Sequence, residues 1–176
     1  EVGDYLPYLA LSQVLWTFLA AMVAESCTAF TEAEAVIRSV RMPFTVFASR
    51  VIIRNVAILG HNVIVIAIVF LAFGHAPGLN GILAVPAFLL WLLDAFALIL
   101  ILGAVCARFR DIPPIIASVM QIAFFLTPVI WKPAQLGASA VFLPLNPFFD
   151  LLEIVRAPLL GGTMPAMAWA GALIYS

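Results

Sequence analysis

The side chains that could do chemistry are few, and most are arginines placed where apolar runs end. Six of the eight cationic residues fall in two short segments: Arg38, Arg41, Arg50 and Arg54 in one, Arg108 and Arg110 in the other. Inside the apolar runs stand isolated polar groups: His61 with Asn62, Asp94, and Ser118 with Gln121. A carboxylate in such a run must find a donor, line a wet cavity or take up a proton. The helical neighbours of Asp94 (Leu90, Trp91, Ala97 and Leu98) include no cation. A proton or ion site and a structural hydrogen bond to another helix therefore both remain open. His61 and Asn62 read either as bonds between helices or as part of a transport path. Patterns for bond-breaking chemistry are missing. The one lysine, Lys132, precedes Pro133, so no glycine-rich phosphate loop ending in Lys-Ser or Lys-Thr exists. Neither an H-E-x-x-H helix nor a G-x-S-x-G elbow occurs. No catalytic residue, no metal ligand and no cofactor on this chain is assigned; the expected class is not an enzyme.

These groups sit in 176 residues that are 65% hydrophobic and 10% charged, with a mean hydropathy of +1.19. A soluble domain carries roughly 25% charged residues, so a water-exposed surface cannot be built from this chain. A crossing helix needs about 20 mostly apolar residues. Tyr5–Ala24, Asn55–Phe73 and Ile112–Trp131 carry no formal charge, and Ile82–Ala107 carries only Asp94. The expected fold is all-α: a single polytopic membrane domain over 1–176. Four complete spans are expected at about 5–29, 47–73, 82–107 and 112–131, with a partial last span at 165–176.

The positive-inside rule puts both arginine segments in the cytoplasm and the lysine- and arginine-free turn Gly74–Gly81 outside, together with the longer segment from Lys132 to about Met164. Cys27 and Cys106 then lie at the reducing side and read as small apolar fillers rather than a disulfide. An outer N-terminus, and too few residues after Pro165 to cross, lead to the expectation of an earlier span and of an incomplete last one. In the first span, Gln13, Thr17, Ala20, Ala21, Ala24 and Thr28 share a stripe suited to close helix packing. After it, residues 31–43 predict a short cytoplasmic helix. Thr31 and Glu34 have capping-box spacing, Glu32 and Glu34 lie in the first turn, Arg38 and Arg41 near the end, and Met42-Pro43 stops it. Docking of a partner and anchoring to lipid headgroups are both open for this helix.

The turn Arg108-Phe109-Arg110-Asp111 leads into the fourth span, with Asp111 placed to cap it and Pro113 in its first turn. There Ser118, Gln121 and Phe125 share a face that could line a pore, although Gln121 could equally bond a neighbouring helix. Thr127-Pro128 breaks the helix. Asn146-Pro147 reads as N-cap and first position of an amphipathic helix, with Phe148, Leu151, Leu152, Val155 and Leu159 on one side and Asp150, Glu153 and Arg156 largely opposite. Gly161-Gly162 ends it, and 132–162 is expected to form outer re-entrant or interfacial structure.

From Ala107 to Gly162, the order R-F-R-D-I, a span ending T-P-V-I-W, then L-N-P, a helix with an arginine and a glycine resembles the permease of type-2 ABC exporters. More narrowly it resembles the group that exports O-antigen, capsule and teichoic-acid polysaccharides. Y-L-P-Y-L-A-L-S-Q-V-L-W and the basic segment ending R-M-P-F agree with this. The resemblance implies six spans, a homodimer in a bacterial cytoplasmic membrane, and a separate nucleotide-binding ATPase that holds ATP and magnesium. It also implies a coupling helix at 31–43, an ATPase-facing surface of Glu32, Glu34, Arg38, Arg41, Met42, Pro43, Arg108, Arg110 and Asp111, and outer helices at 132–162 that close the exit. A path for a lipid-linked glycan could use Ser118, Gln121, Phe124, Phe125, Trp131, Phe148 and Phe149, since aromatic rings stack on sugars; Phe142 lies with them, although interface belts are also aromatic. Asp94 is not part of the family pattern. An exporter of lipids or drugs, and a proton-coupled carrier using Asp94, His61 and Arg54, are the competing expectations.

Overall fold

The computed structural model describes residues 2–74, 78–162 and 165–176. Glu1, His75–Pro77 within the short turn, and Thr163–Met164 at the end of the long outer segment lie outside the described residues. Among the described residues there is no strand, and the protein is an all-α polytopic membrane protein. In order come α1 (Val2–Thr28), α2 (Glu34–Ser39), α3 (Phe44–Ala72), α4 (Ala84–Arg108), α5 (Ile112–Leu126), α6 (Pro147–Leu159) and α7 (Ala166–Tyr175). Short 3-10 segments, Leu79–Leu83 and Pro133–Leu145, precede α4 and α6.

Among the described residues, three stretches are long and apolar enough to cross a bilayer: Tyr5–Thr28, Phe44–Ala72 and Asn80–Arg108. Helices α3 and α4 turn Ile53, Leu71, Leu93 and Ile101 outward, which suits lipid. Helix α5 is shorter. It stops at Leu126, because Pro128 cannot donate to a continuing ladder and Thr127 is held extended before it. Its 15 residues rise about 22 Å, against a hydrocarbon core of about 30 Å. The chain from Thr127 to Val129 then runs buried.

The centre of the bundle is α1, which packs against α3, α4, α5 and α6. It does so through its large residues, Leu11, Leu15, Trp16, Phe18 and Met22, all buried. The facing surface of α4 is mostly small: Ala84, Ala87, Ala95 and Gly103 lie on one buried stripe with Trp91 and Ile99. The small residues that let backbones approach therefore belong to α4, not to the α1 stripe expected from sequence. On that stripe Gln13, Thr17 and Ala24 are exposed, and the Thr17 hydroxyl donates back to the Gln13 carbonyl at 2.8 Å. Close packing needs only one small partner at each crossing, and α4 supplies it.

Helix α6 is wedged among α1, α4 and α7. Asn146 is its N-cap, accepting from the Phe148 amide at 3.0 Å, while its own amide donates to the Thr127 hydroxyl at 2.9 Å. Phe148 meets Trp16 edge-on at 5.6 Å. Trp16 stands about 16 Å along α1 from Tyr5 at helical rise, so α6 begins deep in the bundle. It runs back toward the first turns of α1. There Gly161, at φ 78°, and the bonds Gly161 N–H to Pro158 O (3.3 Å) and Gly162 N–H to Ala157 O (2.9 Å) close it as a Schellman motif. The sequence pattern makes Asp150, Glu153 and Arg156 a water-facing side. The structure corrects this: Asp150 and Arg156 are fully buried, because α1, α4 and α7 together cover both sides of the helix.

Helix α7 returns along α6, and Gly171 lies directly against the Asp150 carboxylate. A methyl at 171 would overlap that carboxylate, whose two oxygens have no hydrogen-bond partner among the described residues. Gly171→Ala should therefore destabilise the purified full-length protein by about 1–3 kcal/mol, the usual cost of overpacking. Asp150→Ala should cost little by itself and should cancel most of that loss when the two are combined. Thermal unfolding in detergent reads both effects, and a Gly171→Ala loss that persists in the Asp150→Ala background would refute the contact.

Candidate functional site

Two surfaces and one buried node collect the polar chemistry. The first surface is the arginine-rich end. Thr31 does not form the expected capping box. Its hydroxyl donates to the Thr28 carbonyl at 3.0 Å, Ala33 is the N-cap of α2, and no side chain caps it. The chain between Ala29 and Ala33 continues as turns directly from α1, so Thr31 is already engaged one turn back. The helix is consequently shorter than the 31–43 expected. Glu34 is instead a bridge: it pairs with Arg38 at 2.5 Å and approaches Arg110 at 3.9 Å. One carboxylate thus ties the two sequence-predicted segments, 31–43 and 107–111, into one surface. Glu32, Arg41, Met42 and Pro43 lie exposed on it. Arg108 stacks over Phe109 at 5.9 Å, and Asp111 holds the N-cap position of α5 without a side-chain bond to it. Between α2, the start of α3 and the end of α4 runs a groove of about 660 Å³, with Phe30, Ile37, Phe44 and Leu100 along its walls and Arg38 and Arg110 at its edge. Phe30 rests on Gly103 so closely that a Cβ there would stand 2.9 Å from its ring.

Beside this surface, Arg54 pairs with Glu25, and Glu25 also accepts from the buried Asn55 amide at 2.7 Å. These contacts pin α1 to α3. Cys27 and Cys106 are both buried and form no disulfide, and the Cys27 thiol points to the Val23 carbonyl at 3.4 Å.

The second surface is a groove of about 710 Å³ at the opposite end, between α5 and the segment leading into α6. Phe125, Trp131, Phe142 and Phe148 line it, with Val119 and Ile122 from α5 and Asn146 as a polar contributor. Of the path residues expected from sequence, Phe125, Trp131 and Phe148 come together here. Ser118 and Gln121 are exposed on α5 beside the groove but outside its lining, and the Ser118 hydroxyl is turned back to the Pro114 carbonyl at 3.0 Å. Phe124 instead packs on Trp16 at 5.7 Å, and Phe149 is half-buried away from the lining.

The intramembrane polar residues are not gathered. Asp94 accepts from the Ser176 hydroxyl at 3.1 Å, a donor from α7's end. His61 lies on the exposed face of α3, Asn62 is half-buried, and Arg54 is engaged with Glu25.

The buried node escaped the sequence reading. Arg156 is 1% exposed. Its Nη1 donates to Tyr8 Oη (2.8 Å), Ser12 Oγ (3.0 Å) and the Pro128 carbonyl (2.6 Å); its Nε donates to Glu153 at 3.1 Å, and Nη2 bonds the same carboxylate. The guanidinium also stacks over the Tyr8 ring at 4.6 Å. The Tyr8 hydroxyl reaches the Pro128 and Trp131 carbonyls at 2.8 and 2.9 Å, and Tyr5 donates to Ile130 at 2.6 Å. Only the spacing of Glu153 and Arg156, three apart on one helix, signalled any of this; the partners lie far away in sequence.

No family model matches the chain. It is similar to the O-antigen export system permease protein RfbA of Myxococcus xanthus, 25% identical over 145 residues, which is 81% of this chain and 56% of that protein. The chain spans little more than half the length of that curated relative.

The two ends differ in what their charges contribute to stability. Both Glu34 pairs are open to solvent, and such pairs are worth about 0–1 kcal/mol. Breaking a buried, fully bonded charge cluster costs about 3–5 kcal/mol. Glu34→Ala should accordingly leave the unfolding temperature of the purified protein almost unchanged, while Arg156→Ala should lower it markedly. Equal losses in the two variants would contradict the assignment of these roles.

Proposed function

We propose that this chain is the membrane-spanning permease part of an ABC-type exporter that moves a lipid-linked polysaccharide across a bacterial cytoplasmic membrane. A separate ATPase subunit, carrying ATP and magnesium, supplies the energy. The observation that carries the reading is the similarity, over 81% of the chain, to a protein named as an O-antigen export permease. The physical features fit it. Three apolar helices of crossing length among the described residues, in a sequence that carries no phosphate loop, suit a conduit driven by a separate motor. The arginine-rich surface around Glu34 is the docking face for that motor, with α2 as the coupling helix. Its ion pairs are exposed, so a partner can replace them at little cost.

The aromatic groove between α5 and α6 is the outer part of the glycan path. Rings of Phe125, Trp131 and Phe148 offer flat faces to sugar C–H groups, and sparse polar atoms limit how tightly a glycan is held. The amide of Gln121, exposed on the same helix, favours water or a second copy of the permease over lipid at that face. A homodimer with α5 at its seam would enclose such a path, with 132–162 as re-entrant structure at its exit.

Reversal of charge in Arg38→Glu with Arg41→Glu should abolish ATP-driven glycan export by the full-length protein and its ATPase while leaving membrane insertion and ATP hydrolysis by the partner in place. Loss of insertion together with export would mean that these arginines only orient the chain. Asp94→Asn should leave export intact, because among the described residues the Asp94 carboxylate accepts a hydrogen bond from Ser176, which an amide oxygen can accept as well. Abolished transport in that variant, or transport by the chain with no ATPase present, would support a proton-coupled carrier instead. Assays with a glycan lipid beside a hydrophobic dye separate a polysaccharide exporter from one for lipids or drugs.

A further inference from the structure

The node around Arg156 joins three parts of the chain that no helix connects. These are the first turns of α1 through Tyr8 and Ser12, the broken segment after α5 through the Pro128 carbonyl, and α6 itself through Glu153. Every group in it is buried or half-buried, and the charges of Arg156 and Glu153 cancel. On the other side of α6 the packing is poorer in bonds. Asp150 faces Gly171 with both carboxylate oxygens unpartnered, and the buried indole N–H of Trp169 on α7 has no partner among the described residues.

We infer that Arg156 is a positioning residue for transport: it latches α6 onto α1 and onto the segment 128–131, and so holds the aromatic groove in its resting shape. This rests on the export reading for its purpose, but the latch itself is a property of the chain. A guanidinium suits the task because its donors fan out in one plane, so one side chain serves acceptors on three elements. Its release is graded rather than all-or-none. Tyr8 Oη and Ser12 Oγ are uncharged acceptors, and when they separate from Nη1 the bond pair with Glu153 travels with α6 and keeps the charge neutralised. Movement of α6 away from α1 therefore strands no bare charge in the seam. Trp131, whose carbonyl binds Tyr8 and whose ring lines the groove, would shift with the same event.

The test uses the full-length protein in washed membrane vesicles without nucleotide, with Cys27 and Cys106 replaced. A reporter cysteine is placed at Leu152, fully buried on α6, and a control cysteine at Ile99, fully buried among residues near the arginine-rich end. Labelling by N-ethylmaleimide is timed. Ser12→Ala removes one acceptor, whereas Tyr8→Phe removes an acceptor together with the hydroxyl's own bonds to the Pro128 and Trp131 carbonyls; both are mild enough to fold. Ser12→Ala, the loss of one bond to a charged group, should speed labelling at 152 by about tenfold, Tyr8→Phe by at least as much, with Arg156→Lys similar and labelling at 99 unchanged. Wild-type labelling at 152 in both acceptor variants would overturn the latch, and so would equal acceleration at 99, which would mean general loosening. The export reading fails separately, as a wild-type protein that moves no glycan with ATP, because the labelling needs neither.

Discussion

A cation removed from water must carry its own solvation, and the far end of this protein is built around that requirement. Arg156 sits in the seam between α6 and α1, and five acceptor contacts replace its hydration. Two of these come from α1, one from the chain after α5 and two from a carboxylate on its own helix. The Glu153 carboxylate, which moves with it, keeps the guanidinium neutralised, while the neutral acceptors on α1 and at Pro128 fix where it sits. The relative placement of α1, α6 and 127–131 is set by this node together with the Tyr5, Tyr8 and Asn146 bonds to the same segment and the apolar packing around them. Such packing could tolerate several registers; a fan of directed donors tolerates few.

The arginine-rich end follows the opposite logic. Its ion pairs are exposed, bridge short segments and contribute little to folding. The contacts that hold this end lie one layer deeper, in the Glu25, Arg54 and Asn55 cluster and in the seat of Phe30 on Gly103. A layer of replaceable charges thus lies there over a fixed apolar footing. The two ends thus divide the work that transport would require: contacts that exchange at one, and a directed bond network at the other.

Hydropathy alone was enough to find the long helices, because in lipid every backbone donor must be used internally and a run of apolar residues has few alternatives to a helix. Local chemistry was equally legible where it is decided within a few residues. Asn146-Pro147 starts α6, Gly161-Gly162 ends it, and Thr127-Pro128 stops α5. Three readings failed for one common reason: a pattern shows which residues share a face but not what covers it. Thr31 had the right spacing to Glu34, yet it was already bonded to Thr28. The small stripe of α1 leaves Gln13, Thr17 and Ala24 exposed, and the small face packed in the bundle belongs to α4. Asp150, Glu153 and Arg156 resembled a wet face until α1 and α7 were seen to cover it. The groove was partly legible. Phe125, Trp131 and Phe148 meet there, whereas Phe124 is drawn off by Trp16, a partner more than a hundred residues away in sequence.

The two seams of α6 are unequal, and that inequality has a consequence for which part moves. Against α1 the helix is held by directed bonds to a charged group, each worth about 1.5–3 kcal/mol. Against α7 it leaves the Asp150 carboxylate without a partner among the described residues, and a buried unsatisfied polar group costs about 1–3 kcal/mol. A wedge with a penalty on one side and a bond network on the other stays seated because of the network. The unsatisfied seam also explains the strictness of Gly171: with no hydrogen bond to orient it, the Asp150 side chain is placed only by what it touches, and it touches a Cα. Of the two seams, the one against α7 is therefore expected to yield with less resistance, while parting from α1 requires the node to open.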